Sequence, residues 1–302
     1  MTDTFRGVFA IVQTPFGKMG DLDWEDFERE CDWIVRAGGH GLVWPVMASE
    51  YTVISYPERV EGMGIAVKAV AGRIPVVIGV ADTSKAGAVS LAEEAGKAGA
   101  DGIIAMPPWA TKMASQDLVE DYYRALADAA GIPVIVQNCG GNLGSSLPGE
   151  FVVELCERIP LVQYLKEEKP PQGHSISEVV SFKSSEVKGV FSGASCRWLI
   201  PEYKRGVCGN MPACTITDID ARIWDLLEEG EEGEARRIHN AKLVLENSLA
   251  SMPRRRGRKE ILVRRGVITH PYGRNLGPEE LDDVDLAELD YALDSVESYF
   301  TV

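Results

Sequence analysis

The sequence contains few residues of the kinds that bind metal ions. Four histidines occur in 302 residues, and none belongs to an H-E-x-x-H motif, which would place two imidazole ligands on one helix face. The six cysteines include no C-x-x-C pair and match no zinc-binding spacing. We therefore expect no metal and no cofactor, and reduced cysteines that pack as small buried side chains.

Long apolar runs and excess positive charge are also missing. No apolar run approaches the ~18–20 residues of a membrane helix, and the N-terminus lacks the pattern of a signal peptide. The chain has 31 Lys and Arg against 46 Asp and Glu, a formal net charge of −15. Such an acidic chain is a poor candidate for binding nucleic acid or anionic membranes. We expect a cytoplasmic protein that binds neither.

The sequence does contain a regular alternation of short apolar runs and longer amphipathic stretches. The apolar runs are rich in Val and Ile, are bounded by Gly or Pro and are apolar on both faces, as buried parallel strands are. They predict strands at 7–14, 41–47, 74–80, 101–108, 132–138, 161–166, 187–193 and 208–214. Helical patterns lie between them, at 23–37, 57–71, 84–99, 115–130, 147–158, 173–185, 195–205 and 217–229.

Eight strand–helix units within about 230 residues predict a closed (β/α)8 barrel, a TIM barrel. A doubly wound sheet is less favoured, since no G-x-G-x-x-G turn follows the first strand. Helical patterns without strands continue over 231–250, 254–266 and 278–299. We therefore predict a barrel at 1–230 and a C-terminal helical extension, packed on the barrel, at 231–302.

The extension contains a basic run, RRRGRKEILVRRG, at 254–266. In a chain as acidic as this one, we interpret the run as a solvated helix face or loop that pairs with acidic neighbours. A nucleic-acid patch is the less favoured alternative.

Catalytic residues of such barrels lie at the C-terminal ends of the strands. Lys166 is the strong nucleophile candidate there, because it closes the apolar run LVQYLK. Burial at that point would disfavour the ammonium form and favour the neutral amine, which attacks carbonyl carbons. The residues alone leave a second interpretation open, a solvated lysine in the charged loop KEEKPP.

The order and spacing of several motifs resemble those of the dihydrodipicolinate synthase/N-acetylneuraminate lyase family of Schiff-base-forming (β/α)8 lyases and dehydratases. The resemblance covers nearly the whole chain. Its motifs are TPF (14–16), MASEYTVISYPER (47–59), RIPVVIGVADTS (73–84), GADGIIAMPPW (99–109), YLKEE (164–168) and FSGASCRWLIPEYKRGVCGNMPA (191–213). The resemblance implies that Lys166 is the Schiff-base lysine, that the substrate is a small 2-keto acid and that the protein is a homotetramer.

The sequence departs from the family pattern at the acid/base and carboxylate-binding positions. Gln137 stands where the family usually has a tyrosine, and an amide cannot shuttle protons at neutral pH. Met47 and Ala48 replace the two threonines that help bind the substrate carboxylate, which leaves the backbone N–H groups of that turn and the Ser49 hydroxyl. The substrate-binding residues that we predict are Thr14, Ala48, Ser49, Gln137, Asn138 and Gly193.

Two glutamates follow Lys166. Residues two apart in an extended strand point to the same side, so Glu168 would share the face of Lys166 while Glu167 points away. A carboxylate whose pKa is raised by burial can act as a general acid/base, and we predict that role for Glu168. The alternative is that both glutamates are surface charges in a polar loop.

The V-M-A-S-E and K-E-E segments, together with the missing tyrosine, are most similar to the family branch that dehydrates 2-keto-3-deoxy sugar acids. The resemblance implies a dehydratase of the L-2-keto-3-deoxyarabonate type, which yields 2-oxoglutarate semialdehyde. Dehydration fits the loss of the tyrosine, because no step deprotonates the C4 hydroxyl. Two alternatives stay open: a pyruvate-dependent aldolase or synthase of the same family, and a non-catalytic barrel used for binding.

Overall fold

The computed structural model describes residues 5–107, 115–139, 146–274 and 280–302. Eight parallel strands follow one another in chain order around a closed barrel, with helices between them and further helices at the C-terminus. The predicted fold class, a TIM barrel with C-terminal helices, is thereby confirmed. The strands are β1 (Gly7–Ile11), β2 (Gly41–Trp44), β3 (Val76–Gly79), β4 (Gly102–Ala105), β5 (Val134–Cys139), β6 (Val162–Glu168), β7 (Gly189–Ser192) and β8 (Gly209–Asn210).

The helices of the described ranges begin close to the predicted positions. They are α1 (Trp24–Arg36), α2 (Tyr56–Val70), α3 (Lys85–Ala98), α4 (Gln116–Ala130), α5 (Gly149–Arg158), α6 (Gln172–Ser181), α7 (Leu199–Tyr203), α8 (Thr217–Glu228), α9 (Glu232–Ser251), α10 (Arg254–Arg264) and α11 (Asp283–Asp294). Side-chain caps define several starts: the Ser84 hydroxyl accepts from the Gly87 N–H at 3.0 Å, and the Asp23 carboxylate from the Asp26 N–H at 3.0 Å.

The chain divides into two compact units. One includes Pro75–Met211 and therefore the strands β3 to β8; the other comprises Gly7–Ile74 and Pro212–Val302. In the first unit, the apolar strand β4 is wholly buried, and in β6 every residue except Gln163 and Glu168 is buried. In the second, α9 packs against α8, α10 and α11. The predicted domain boundary at residue 230 stays a prediction.

The basic run in α10 is only partly solvated, which corrects the expectation of a solvated face. Arg258 and Lys259 are 4% and 2% exposed. The Arg258 guanidinium lies 3.1 Å from the Glu246 carboxylate, and the Lys259 ammonium donates to Glu50 at 2.7 Å. Buried charges of this kind require a partner of opposite sign, and both partners are provided by the acidic residues of the same unit.

The carboxyl group of Glu30, in α1, is buried near the end of β1. Glu30 is completely buried; its Oε1 accepts from the Gln13 N–H at 2.6 Å and from the Cys214 thiol at 2.9 Å. Within the described part of the chain, no group donates to Oε2. Burial raises the pKa of Glu30 to about 7, although both hydrogen bonds lower it.

Because the folded protein binds this proton more tightly than the unfolded chain does, Glu30 makes stability fall as pH rises from about 4.5 to about 7. The isosteric Glu30→Gln variant has no such proton. We expect it to match the wild type in unfolding free energy at pH 5 and to exceed it by on the order of 3 kcal/mol at pH 8. Urea unfolding at both pH values measures the difference.

The control for this prediction is Glu25→Gln, since Glu25 lies in the same helix with its side chain 92% exposed. Its difference from the wild type should be the same at pH 5 and pH 8. If Glu30→Gln also shows no change with pH, Glu30 is not protonated in the folded protein and the expectation is wrong.

Candidate active site

Lys166 lies inside strand β6 and is 3% exposed. The strand continues to Glu168, two residues beyond the predicted end. Its neighbours in the barrel are β5, where Gln137 is its register partner, and β7, where Phe191 is. Lys166 is therefore a buried strand residue, and the alternative of a solvated loop lysine is wrong.

The two glutamates after Lys166 point to opposite faces of β6, as the alternation predicts. The Lys166 Nζ atom lies 3.2 Å from Oε2 of Glu168, whose side chain is 22% exposed. Glu167 is completely buried on the other face, where it accepts from the Asn138 amide at 2.8 Å and from the Lys169 N–H at 2.8 Å. Of the two carboxylates, that of Glu168 lies beside the Lys166 amine and that of Glu167 lies on the opposite face.

Gln137 holds the carboxylate of Glu168 in place. Its Nε2 donates to Oε2 at 2.7 Å, and the thiol of Cys139 donates to the same oxygen at 3.5 Å. The amide that replaces the family tyrosine is thus a donor to the neighbouring carboxylate, a role that the sequence reasoning did not assign. The alternation of side chains along β5 could have indicated this role, because Gln137 and Cys139 face the same side as their register partners Lys166 and Glu168.

The charge state of Glu168 differs from the expectation. Burial of Glu168 raises its pKa. The positive charge of Lys166 and the hydrogen bond from Gln137 together lower the pKa by more than burial raises it, so the pKa of Glu168 lies below its usual value. The expected rise is therefore wrong for the free enzyme, because the sequence reasoning counted burial and not the two donors. Burial does raise the pKa of Glu167, although hydrogen bonds from Lys169 and Asn138 oppose it.

Gly193 makes room for the Glu168 carboxylate. A Cβ atom at this position would overlap Oε1 of Glu168 and would lie 2.7 Å from its Cδ atom. Gly193 directly follows β7, and the next three residues, Ala194–Cys196, all have positive φ. The predicted role of Gly193 in substrate binding stays a prediction, but its contact with Glu168 gives the position a second reason to be glycine.

Asn138 faces away from Lys166 and binds Leu147, which lies just before α5. Its Oδ1 accepts from the Leu147 N–H at 2.9 Å, while its Nδ2 donates to the Leu147 carbonyl at 3.1 Å and to Glu167. The contacts tie the segment at Leu147 to the strand. A role in substrate binding stays a prediction for Asn138.

The predicted substrate-binding residues Thr14, Ala48 and Ser49 lie in the second unit. The Thr14 hydroxyl donates to the Ser49 carbonyl at 2.6 Å and accepts from the Trp44 indole at 2.9 Å. Ser49 is completely buried, and its own hydroxyl has no hydrogen-bond partner among the residues that the structure describes. A buried hydroxyl without a partner is unfavourable, which suits a position reserved for a ligand.

Two backbone N–H groups of the turn form hydrogen bonds within it, and the predicted role of the turn in carboxylate binding stays a prediction. The turn is a 3-10 helix at Met47–Ser49, in which Ala48 is half-buried. The Ser49 N–H donates to the Val46 carbonyl at 2.9 Å, and the Glu50 N–H donates to Met47 at 3.2 Å. These two N–H groups are used within the turn, whereas the Ser49 hydroxyl has no hydrogen-bond partner within the described ranges.

Two residues of the predicted motif GADGIIAMPPW, Pro108 and Trp109, lie outside the described residues.

Within the described ranges, no group of three or more His, Cys, Asp or Glu side chains could hold a metal ion. In the same ranges, no helix is long and apolar enough to cross a membrane.

Comparison with known proteins relates the chain to Schiff-base lyases. The profile of the dihydrodipicolinate synthetase family matches residues 4–284. The chain is 28% identical to an L-2-keto-3-deoxyarabonate dehydratase of Azospirillum brasilense over 248 residues, 82% of this chain and 80% of that protein. It is also 28% identical to a 4-hydroxy-tetrahydrodipicolinate synthase of Pelobacter propionicus over 247 residues, 81% of this chain and 83% of that protein.

The fold is similar to that of solved structures with the same family name. The crystal structure of a dihydrodipicolinate synthase from Rhodopseudomonas palustris superimposes with a TM-score of 0.88, covering 96% of this chain and 97% of that one. At 23% identity the likeness concerns the fold. The sequence relatives carry two different activities in their names at equal identity.

The contact between Gly193 and Glu168 gives a testable expectation. Gly193→Ala places a methyl group where Oε1 of Glu168 lies, so the carboxylate must leave Lys166 or the β7 segment must shift. We expect a crystal structure of the variant to show the Lys166–Glu168 separation increased from 3.2 Å to beyond hydrogen-bond distance. Gly64→Ala is the control, because a Cβ there meets nothing within 4 Å. An unchanged separation together with an unshifted β7 segment would show that the space is not needed.

Proposed function

Because this chain belongs to the dihydrodipicolinate synthetase family, whose members are lyases that act through a Schiff base, we propose that it dehydrates a 2-keto-3-deoxy sugar acid. The proposed substrate is of the L-2-keto-3-deoxyarabonate type, and the product is 2-oxoglutarate semialdehyde. The observation that carries the proposal is the Glu168 carboxylate, 3.2 Å from Lys166, at a site where an amide replaces the family tyrosine.

The first half of the reaction forms the imine. The Lys166 amine attacks the C2 ketone of the substrate, and loss of water gives an iminium. Glu168, whose Oε2 lies 3.2 Å from the amine, is positioned to accept the proton that the ammonium must lose before attack. The iminium withdraws electrons from C3 and so acidifies its protons.

The second half removes the C4 hydroxyl. Glu168 takes a proton from C3, the electron pair forms the enamine, and the enamine expels the C4 oxygen, which receives the proton from Glu168 and departs as water. A proton then moves from C5 to C3, and the resulting enol becomes the aldehyde. Hydrolysis of the imine returns Lys166, so the net change is the loss of one water molecule.

Aldol cleavage differs in needing a base for the C4 hydroxyl. In the family pattern that base is a tyrosine, and the Gln137 amide cannot take its place. Glu168, with its pKa lowered beside Lys166, is a weak base for an alcohol but suffices for a carbon acid that the iminium has activated. This difference favours dehydration.

An aldolase or synthase that uses pyruvate is the second candidate. It is favoured by the 28% identity to a synthase, equal to the identity to the dehydratase. Product analysis separates the two, because cleavage releases pyruvate and an aldehyde whereas dehydration releases water and a semialdehyde with all the carbon atoms of the substrate.

The remaining parts of the proposal rest on the sequence. We infer from the family resemblance that Ser49, with Thr14 and Ala48, binds the substrate carboxylate and that the protein is a homotetramer. A cytoplasmic location and the absence of a cofactor, of nucleic-acid partners and of membrane partners stay predictions.

The Schiff-base step predicts that Lys166→Ala abolishes both turnover and borohydride trapping of a 2-keto acid, because no other amine is proposed to react. Mass mapping of the trapped wild-type protein should place the adduct on residue 166, and circular dichroism should show the variant folded. An adduct of unchanged yield in Lys166→Ala would contradict the assignment.

The acid/base assignment predicts that Glu168→Gln and Glu167→Gln differ sharply. Glu168→Gln keeps the size of the side chain but not the proton carrier, so kcat should fall by about 10²–10⁴-fold, while the imine with Lys166 still forms and is trapped. Glu167→Gln is the matched control on the opposite face of β6. It weakens one buried hydrogen bond, and we expect its kcat to fall less than about tenfold.

Steady-state kinetics and trapping yields of the two variants measure this difference. A normal kcat in Glu168→Gln together with an inactive Glu167→Gln would assign the role to the other carboxylate. Full activity in both variants would leave neither glutamate as the acid/base.

A further inference from the structure

We propose that the buried pair of Lys259 and Glu50 positions the turn that carries Ser49 and thereby sets the affinity for the substrate carboxylate. The inference rests on the proposed function, in which Ser49 binds that carboxylate. It assigns a role to α10 of the C-terminal helices, which provides Lys259 and lies 209 residues beyond Glu50 in the sequence.

The turn needs such support because of its backbone. Glu50 has φ 61° and ψ 33°, the left-handed conformation, and separates the 3-10 helix Met47–Ser49 from a second one at Tyr51–Val53. A residue other than glycine holds this conformation where surrounding contacts require it. Ser49 directly precedes the left-handed residue, so the conformation of Glu50 decides where the Ser49 hydroxyl points.

The Glu50 side chain is fixed at both carboxylate oxygens. Oε1 accepts from the Lys259 ammonium at 2.7 Å, and Oε2 accepts from the Arg274 backbone N–H at 3.2 Å. Lys259 also donates to the Tyr272 carbonyl at 2.7 Å. The side chains of Lys259 and Glu50 are 2% and 1% exposed, so removal of either charge leaves the other buried without its counterion.

Arg274 fixes the far side of the same turn. Its guanidinium forms a bidentate pair with Glu58, at 2.6 and 2.8 Å, and donates to the Val53 carbonyl at 3.1 Å. The segment from Tyr272 to Arg274 therefore contacts Glu50, through the Arg274 N–H, and the chain that follows Glu50. The C-terminal part of the unit acts as a brace for the turn that follows β2.

The Ser49 hydroxyl is the free group in this arrangement. The Ser49 carbonyl accepts from the Thr14 hydroxyl, whereas the Ser49 hydroxyl is buried with no hydrogen-bond partner within the described ranges. A hydroxyl that donates to a carboxylate must be held within a few tenths of an ångström, since hydrogen bonds weaken steeply with poor geometry. Loss of the brace should therefore weaken carboxylate binding selectively.

The experiment compares a ligand that has the carboxylate with one that lacks it. Borohydride trapping of Lys166 is titrated with pyruvate and with methyl pyruvate, a neutral ester with the same ketone. We expect Lys259→Met to raise the half-saturating pyruvate concentration by about 10- to 100-fold, which corresponds to the loss of one charge-assisted hydrogen bond. The titration with the ester should be unchanged. Arg255→Met, which removes an exposed charge from the same helix, is the control and should change neither titration.

A double-mutant cycle tests whether the effect acts through Ser49. Ser49→Ala should raise the pyruvate value alone, and Lys259→Met should add little in the Ser49→Ala background because the group that it positions is gone. Glu50→Gln, which removes the other charge of the pair but keeps an acceptor for Lys259, provides a second variant should Lys259→Met fail to fold, and we expect a shift in the same direction. Circular dichroism and the melting temperature establish that each protein is folded at the assay temperature.

Three results would overturn the inference: an equal loss for pyruvate and its ester, no loss for either, or an undiminished effect of Lys259→Met in the Ser49→Ala background. Failure of the wild-type protein to trap pyruvate or any other 2-keto acid is a separate outcome, because it overturns the proposed function itself.

Discussion

A lysine side chain in a protein interior must be neutral or must lie beside a negative charge, because an isolated buried ammonium is too costly. Lys166 meets this constraint through Glu168, 3.2 Å away in the same strand. The position of Glu168 in turn requires a donor at Gln137 and an empty space at Gly193. The contributions of β5, β6 and β7 to the candidate site thus follow from one buried pair.

The same pair remains balanced when the lysine becomes an iminium, since the iminium also carries one positive charge. When Glu168 takes the C3 proton in the proposed reaction, the iminium becomes a neutral enamine and the carboxylate becomes a neutral carboxyl group, so the pair stays balanced at that step as well. The low pKa beside Lys166 weakens Glu168 as a base toward C3, but the iminium compensates by acidifying that carbon. Once protonated, Glu168 can give that proton to the departing C4 oxygen.

The sequence was sufficient for features that depend on short-range periodicity. Runs of buried Val and Ile predicted the barrel, and the period of two placed Glu168 on the face of Lys166 even though the strand was expected to end at 166. The direction of the pKa of Glu168 was wrong because it depends on donors from β5 as well as on burial. The burial of Lys259 was not expected for a similar reason. A basic run in a sequence resembles a solvated surface unless its acidic partner, here the distant Glu50, is known.

The residues that hold the Glu168 carboxylate and those that hold the Ser49 turn differ in how far apart they lie in sequence. Gln137 and Glu168 come from adjacent strands 31 residues apart, whereas Lys259 and Glu50 are 209 residues apart. Changes at the chemical groups can therefore be local, as when an amide replaces a tyrosine and a glutamate follows the lysine. Changes in carboxylate recognition must preserve a buried charge pair between distant segments, because either partner alone would be left uncompensated.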